Sequence, residues 1–234
     1  MMPAMAETWL LLQSGEGAAA FNMALDEALL EHAARLARPV LRFYAWSERA
    51  ASFGYSQRFA DVASATQLRP LVRRPTGGGI VPHDADWTYS LVFPPTHSWA
   101  ELSASESYRR AHEWIGAAFG RLDVKTELAA CCRKELAGQC FVGHEKFDLL
   151  WHGRKIAGAA QRRNRSGLLI QGSLQPPLLQ IAKADWQHAM CDVAGLDWAS
   201  SVKWEPFVPD CELNERAGEL VRTKYSLADY NERR

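Results

Sequence analysis

Two short turns in the second half of the chain constrain its fold more than any other feature. His152-Gly153-Arg154 is predicted to form a turn that leads into a strand over residues 155–163. Asn164-Arg165-Ser166-Gly167 is predicted to form a second turn, which leads into a strand over residues 168–174. Pro176 and Pro177 end this segment. Strands joined by turns this short run antiparallel, because a parallel crossover needs about a dozen residues or more. The sequence therefore predicts an antiparallel meander rather than regular β–α–β alternation.

The rest of the chain adds helices and further strands. Apolar residues from Phe21 to Leu29 recur at helical spacing, and Ser103 with Glu106 forms a capping box before a helix expected to reach residue 122. Other strands are predicted over residues 9–13, 40–46, 52–56, 71–74 and 87–93, a turn over residues 14–17, and helices near residues 179–193 and 213–225. We therefore predict an α+β fold: a mixed, largely antiparallel sheet flanked by helices, as a single domain over residues 1–234 with no accessory C-terminal domain.

Composition excludes several classes of partner. The chain carries 27 basic and 27 acidic residues, so its net charge is zero and no global field attracts nucleic acid or a membrane surface. No apolar stretch is long enough for a transmembrane helix. The five cysteines show no CxxC pair or Cys/His ligand spacing, which predicts no bound metal, free thiols and a reducing, cytoplasmic setting.

A glycine run forms the first candidate site. Arg73 and Arg74 precede Pro75 and the residues Thr76, Gly77, Gly78 and Gly79, with His83 a few positions later. Glycines let the backbone pass close to a ligand, and guanidinium groups hold carboxylate or phosphate in a bidentate way. The run lacks the GK[ST] ending of a P-loop and the G-x-G-x-x-G of a dinucleotide site. A hairpin loop with solvated arginines is the alternative interpretation, as is a merely structural His83.

Lys155 is the second candidate. In a regular strand it shares one face with Ala157, Ala159, Gln161 and Arg163, a set too polar and too small to form a packed core. Such a face is typical of the wall of a groove. A lysine above small residues can act as a point charge or stabilise an oxyanion. A solvated lysine at a hairpin tip is the alternative.

Cys140 is the third candidate, fifteen positions before Lys155. A loop cysteine near cations can have a lowered pKa and act as a nucleophile. The alternative is an inert, buried thiol, and we assign that interpretation to Cys131, Cys132, Cys191 and Cys211.

Long motifs around these candidates resemble a known family. The segment RRPTGGG-x-V-x-HD at residues 73–84, the segment GRKIAG-x-AQ-x-R at residues 153–163 and the GSL that follows are similar to the biotin/lipoate A/B protein ligase family. Residues 21–29 resemble that family's first helix, and Arg42-Phe43-Tyr44 its next strand. The resemblance extends from about residue 9 to residue 172, with a similar ending at Thr223-Lys224-Tyr225.

The resemblance implies a biotin-ligase-like catalytic domain that handles octanoyl or lipoyl groups, by one of two chemistries. Ligases activate lipoate with ATP and Mg²⁺. Octanoyltransferases take octanoate from acyl carrier protein onto a cysteine and pass it to a lysine of a lipoyl-domain protein, such as glycine cleavage H protein or a dehydrogenase E2 subunit. Cys140-Phe141, at its spacing from Lys155, matches the nucleophile position of the octanoyltransferases.

These residues predict an octanoyltransferase without ATP, metal or other cofactor, and a monomer. The catalytic residues are Cys140 and Lys155. The glycine loop and Arg74 line the acyl tunnel, and Ala157, Gly158 and Ala159 leave room for the chain. An ATP-dependent lipoate ligase, a lipoyl amidotransferase and a non-catalytic binding protein are the alternatives. The chain departs from the octanoyltransferase pattern at Gly79-Ile80, where Arg-Gly is frequent, at Gln171, where a histidine is common, and over much of residues 137–146.

Overall fold

A computed structural model of the chain describes residues 6–134, 143–175, 181–195 and 201–233. The strands are β1 (Glu7–Gly17), β2 (Val40–Trp46), β3 (Ala50–Phe53), β4 (Leu71–Arg73), β5 (Val81–His83), β6 (Trp87–Phe93), β7 (Glu127–Leu128), β8 (Arg133–Lys134), β9 (Gly143–His144), β10 (Leu149–Trp151), β11 (Arg154–Asn164), β12 (Gly167–Leu174) and β13 (Val202–Pro206). The helices are α1 (Ala19–Glu31), α2 (Ala33–Leu36), α3 (Phe59–Ala65), α4 (Ser98–Glu101), α5 (Ala104–Gly120), α6 (Lys183–Asp192), α7 (Cys211–Leu220), a π-helical turn (Val221–Tyr225) and α8 (Ala228–Asn231).

The main sheet is mixed and largely antiparallel, which confirms the predicted fold class. Its eight strands lie in the order β13-β1-β2-β6-β12-β11-β10-β7. Among the described strands of this sheet, only β1 pairs in parallel, with β13 on one side and β2 on the other. The meander β10-β11-β12 is antiparallel throughout and continues into β6. Its first turn, at His152 and Gly153, has positive φ at both residues, as a tight two-residue hairpin requires.

Helices cover both faces of this sheet, because apolar residues alternate along its central strands. On β2 and β6, Phe43 and Leu91 point into a core shared with α5 and α6. On the same strands, Val40 and Val92 join a second core, shared with α1 and α7. The result is a three-layer arrangement of helices, sheet and helices.

A smaller sheet carries the glycine run. Its strands lie in the order β4-β3-β5, with β3 parallel to β4 and antiparallel to β5. The glycine run connects β4 to β5, so its ends are fixed on both sides of β3. Gly54, just after β3, lies against the backbone of the glycine run: a Cβ at Gly54 would lie 1.9 Å from the carbonyl oxygen of Gly78.

Several sequence predictions were wrong in detail. Residues 14–17 continue β1 instead of forming a turn, because a register shift between Gln13 and Glu16, with Gly15 at positive φ, lets the strand keep pairing with β2. Phe21 is exposed on α1, although the pattern placed it on the buried stripe. By contrast, Ser103 caps α5 as predicted, accepting a hydrogen bond from the backbone N–H of Glu106. Within the described segments, no helix combines the length and the apolar character needed to cross a bilayer.

Candidate active site

A small cavity lies between the glycine run and the β11–β12 hairpin. It is lined by Met23, Tyr44, Trp46, Ser52, Arg74, Gly78, Val81, His83, Thr88, Lys155, Gly158, Ala159, Ala160, Gln171, Gly172 and Ser173. Arg74, Gly78, His83, Lys155, Gly158 and Ala159 among them are predicted site residues. A larger, open groove runs along α5, but it contains none of the predicted residues. We therefore place the candidate site in the smaller cavity.

Lys155 is held in a buried ion pair at the cavity wall. Its side chain is 6% exposed, and its Nζ lies 2.7 Å from Oδ2 of the fully buried Asp148. The same carboxylate accepts hydrogen bonds from the Tyr108 hydroxyl and, at 2.7 Å, from the backbone N–H of Glu145. Burial, with the neighbouring Asp148 charge adding to it, raises the pKa of Tyr108 well above its usual value, so the phenol stays protonated and donates. The lysine of the predicted hairpin tip is thus part of a fixed polar cluster.

A β-bulge determines which way Lys155 points. Leu149 pairs with Ala157, whereas the next residue, Leu150, pairs with Lys155, so β11 has one extra residue at this point. The bulge breaks the strict alternation on which the predicted shared face depended. The prediction that Ala157 contacts the substrate is therefore corrected. Ala157 is fully buried in the core against α5 and does not line the cavity. Gly158 takes its place beneath the lysine, where a Cβ would lie 2.7 Å from Nζ.

Arg74 organises the glycine run from inside. Its guanidinium donates to the carbonyl oxygens of Gly77 and Gly79, at 2.6 and 2.8 Å, and to the hydroxyl of Ser52 at 3.3 Å. Thr76, at the start of the loop, donates to the side-chain oxygen of Gln171 at 2.8 Å. Thr76, Gly77 and Gly79 shape the loop without lining the cavity, whereas Gly78 reaches its wall, with a φ of 88°.

Arg73 points away from the cavity, and its prediction as a substrate contact is corrected. Its buried guanidinium donates to the backbone carbonyls of Tyr55 and Gln57 on one side, and of Asn231 and Arg233 on the other. Neighbouring residues at the end of a strand face opposite ways, so only one of the two arginines can reach the site. Arg73 instead fastens the end of the described chain to the small sheet.

His83 is buried and doubly hydrogen-bonded at the cavity wall. Its Nε2 lies 2.8 Å from the Ser52 hydroxyl oxygen, and its Nδ1 lies 2.8 Å from a carboxylate oxygen of Asp86. Its ring stacks on Trp46 with the centroids 3.7 Å apart. The histidine therefore lines the candidate cavity and is held rigidly there, and its part in chemistry stays a prediction.

The floor of the cavity rests on a polar network that the sequence did not reveal. Gln171 donates to Asp26 at 2.7 Å, and Asp26 forms a fully buried ion pair with Arg42, also at 2.7 Å. Gln171 stands out in the sequence only as a departure from the family pattern. Ser52, Asp86 and Asp148 carry no local motif, because each gains its role from partners on other strands.

Cys140 lies outside the described residues, so its role stays a prediction from the sequence. The cysteines described by the structure are free, and two have a raised pKa. Burial raises the pKa of Cys191 to about 12, and a hydrogen bond with Glu215 raises that of Cys211. A raised pKa disfavours the thiolate, in line with the inert role assigned to both. The expected burial was wrong for Cys131, Cys132 and Cys211, which are exposed. Across the described segments, no group of three His, Cys, Asp or Glu side chains is arranged to hold a metal ion.

Curated octanoyltransferases are similar in sequence to this chain. Octanoyltransferase LipM of Bacillus subtilis (strain 168) is 35% identical over 181 residues, covering 72% of this chain and 65% of that protein. Octanoyltransferase LipM of Staphylococcus aureus (strain NCTC 8325 / PS 47) is 34% identical over 183 residues, covering 73% of this chain and 66% of that protein. The match thus spans just under two thirds of the length of these relatives.

Solved structures share the fold. A lipoate-protein ligase A bound with ATP superposes with a TM-score of 0.77 at 20% identity, over 97% of this chain and 98% of that one. A bi-partite lipoate protein ligase from Thermoplasma acidophilum gives a TM-score of 0.68 at 19% identity, over 97% and 96%. Residues 18–176, more than half of the chain, match the model of the lipoyl protein ligase A/B catalytic domain. The chain therefore belongs to the lipoyl protein ligase A/B catalytic domain family.

Proposed function

We propose that this chain is an octanoyltransferase of protein lipoylation, which moves an octanoyl group from acyl carrier protein to a lysine of a lipoyl-domain protein. The observation that carries the proposal is the amine of Lys155, ion-paired at 2.7 Å with a buried carboxylate on the wall of the cavity. The likeness to LipM octanoyltransferases supports this reaction in particular.

The first step exchanges one thioester for another. The Cys140 sulfur attacks the octanoyl carbonyl carbon, the bond to the carrier's sulfur breaks, and the thiol proton leaves with the carrier. Negative charge develops on the carbonyl oxygen in the transition state. The ammonium group of Lys155 stabilises that charge from a site that is largely closed to water, where a cation acts more strongly than in solution.

The second step forms the product amide. The amine nitrogen of the acceptor lysine attacks the acyl-enzyme carbonyl, the bond to the Cys140 sulfur breaks, and a proton from the amine restores the thiol. An amide is more stable than a thioester, so the reaction runs downhill without ATP. No step needs a metal ion or another cofactor. The acyl chain lies in the cavity that the small residues Gly78, Gly158 and Ala159 help to line.

Partners and setting follow from this chemistry. The donor is octanoyl-acyl carrier protein, and acceptors are lipoyl-domain proteins such as glycine cleavage H protein or dehydrogenase E2 subunits. A thiol nucleophile requires reducing conditions, which favours the cytoplasm. We propose that the enzyme acts as a monomer and that residues 1–234 form a single domain.

An acyl-transfer assay without ATP tests the proposal. The chain is incubated with octanoyl-acyl carrier protein, and its intact mass is measured before and after addition of a lipoyl domain. We expect an octanoyl adduct that is absent in Cys140→Ser and that passes to the lipoyl domain. Acylation that appears only with lipoate and ATP would make the chain a ligase. Transfer only from an already lipoylated protein would make it an amidotransferase, and inertness in every assay a binding protein.

A further inference from the structure

Ser52, His83 and Asp86 form a chain of hydrogen bonds, and two of them, Ser52 and His83, line the same cavity as Lys155. The hydroxyl oxygen of Ser52 lies 2.8 Å from Nε2 of His83, and Nδ1 of the same ring lies 2.8 Å from Oδ2 of Asp86. The three residues are 3%, 4% and 9% exposed. They come from β3, β5 and the loop after β5, so the fold rather than local sequence brings them together.

The ends of this chain fix the positions of its protons. Arg74 donates to the Ser52 oxygen at 3.3 Å and can only donate, whereas the Asp86 carboxylate can only accept. With a neutral imidazole between them, the Asp86 end takes the Nδ1 proton, and Nε2 is left to accept from the Ser52 hydroxyl. This is the arrangement in which a histidine serves as the base for a serine nucleophile, oriented by a carboxylate.

Further contacts hold the aspartate and the histidine in place. Ser173 donates to Oδ2 of Asp86 at 2.6 Å, and Thr88 donates to the same oxygen at 3.3 Å. Trp46 stacks on the imidazole, and its own indole N–H donates to Thr88 at 2.8 Å. The ring of His83 is thereby fixed in both position and tilt, which a general base requires.

The hydroxyl and the imidazole border the cavity that we assign to the acyl group. Ser52 and His83 line it together with Lys155, and its wall includes the apolar Met23 and Val81. An acyl carbonyl in this space lies among one serine with a paired base and two cations, Arg74 and Lys155. Those are the elements that acyl transfer to an oxygen nucleophile needs.

We propose that Ser52 is a second acyl-accepting nucleophile of this protein, activated by His83 and Asp86, and that it hydrolyses medium-chain acyl thioesters and activated esters. The Ser52 oxygen bonds to the acyl carbon, the bond to the leaving sulfur or oxygen breaks, and the hydroxyl proton passes through Nε2 of His83 to the leaving group. Water then attacks the acyl-serine, gives its proton to Nε2 and releases the carboxylic acid, and the proton returns to Ser52. The net reaction consumes one ester or thioester and one water.

The test uses the full chain carrying Cys140→Ala, so that the proposed transferase nucleophile does not contribute. An octyl fluorophosphonate probe, which phosphonylates an activated serine with loss of fluoride, is followed by intact mass and peptide mapping. Release of nitrophenolate from p-nitrophenyl octanoate measures turnover. We expect a single adduct on Ser52, absent after a further Ser52→Ala. His83→Ala should slow labelling by about 10²–10⁴-fold, the range for loss of a general base.

Controls separate an activated serine from an ordinary one. Ser107→Ala removes another buried, hydrogen-bonded hydroxyl on α5, outside the cavity, and should label at the rate of its Cys140→Ala parent. Peptide mapping of the unmodified chain gives the same answer should Cys140→Ala fold poorly. No adduct on Ser52 in folded protein, or labelling that survives Ser52→Ala, would overturn the proposal and leave a structural network. Octanoyl transfer through Cys140 is scored separately, so either proposal can fail alone.

Discussion

Two buried ion pairs in this molecule differ in what surrounds the cation. Arg42 and Asp26 are both fully buried at 2.7 Å. The arginine also donates to Ser14 and Asn22 and stacks on Tyr44, its guanidinium carbon 4.0 Å from the ring centroid. Lys155 and Asp148 are joined at the same distance, but the lysine borders the cavity and lies over a glycine.

The difference indicates that the two cations have different roles, one in stability and the other in catalysis. A planar guanidinium with several fixed partners belongs to the framework, because its geometry permits little movement. A lysine amine on a flexible stem, next to open space, can shift its contact from a carboxylate to a substrate carbonyl without moving the backbone. We therefore expect loss of Arg42 to reduce stability above all, and loss of Lys155 to reduce rate.

Arg42→Met should have the largest effect on folding. The change leaves the Asp26 carboxylate buried without its cation, which typically costs about 3–5 kcal/mol. The free energy of unfolding, measured by urea denaturation, should fall by that amount, while activity falls only with the folded fraction. Arg35→Gln, which breaks the exposed pair with Asp210, is the matched control and should cost about 1 kcal/mol or less. An equal fall in the free energy of unfolding in the two variants would contradict a structural role for Arg42.

Lys155→Met should lower the rate of octanoyl transfer by about 10²–10³-fold, the usual effect of losing one oxyanion-stabilising group. The change also leaves the buried Asp148 carboxylate without its cation, so part of the loss of activity comes from a smaller folded fraction. The double variant Lys155→Met/Asp148→Asn removes the buried charge, and the Tyr108 hydroxyl can still accept or donate. We expect it to recover stability but not rate.

An exposed lysine gives the control for this comparison. Lys203→Met, on β13, should leave both the transfer rate and the urea midpoint unchanged. If the double variant regained the wild-type rate, Lys155 would have a structural role like that of Arg42.

The sequence predicts the local parts of this fold well and the long-range parts poorly. β6 and the Ser103 cap of α5 follow from alternation and capping chemistry within a few residues. β13 was missed because it is a strand only through its pairing with β1, almost two hundred positions away, as in Glu7 with Val202. The bulge at Leu149 and Leu150 depends on the partner strand in the same way.

The site shows the same limit. Arg73 and Arg74 are adjacent and chemically identical, yet one fastens the far end of the chain and the other the glycine run. Only the direction of each side chain separates them. The sequence motif singles out Lys155 as a candidate, but it does not reveal the partner Asp148, because the hairpin and the bulge together determine which carboxylate the lysine meets.

His112, a neighbour of the Lys155–Asp148 pair, should make stability depend on pH on this side of the sheet. Burial lowers its pKa to about 4, from an ordinary value of 6.5; Asp148 opposes this shift and Lys155 adds to it. Below pH 6.5 the unfolded chain therefore binds a proton that the folded chain does not. The free energy of unfolding should fall by about 3 kcal/mol between pH 6.5 and pH 4 and then level off.

Urea denaturation across that range checks the assignment. His112→Phe should remove this part of the pH dependence, and replacing the exposed His188 with Gln should keep it. Parallel curves for His112→Phe and the wild type would assign the pH dependence to other groups.

Gly158→Ala should have the smallest effect and sharpens the comparison most, because it changes neither charge of the pair. The new methyl group would lie 2.7 Å from both Cε and Nζ of Lys155, and the end of that flexible side chain must shift to make room. We expect little change in the urea midpoint but a loss of transfer rate of about 10–100-fold, since displacing a reacting group by about 1 Å can cost this much. Gly120→Ala, where a methyl group meets open space at the end of α5, is the control and should change neither. A Gly158→Ala enzyme with full activity would mean that the resting position of the Lys155 amine does not affect the rate. The difference between Arg42 and Lys155 would then rest on the flexibility of the lysine side chain alone.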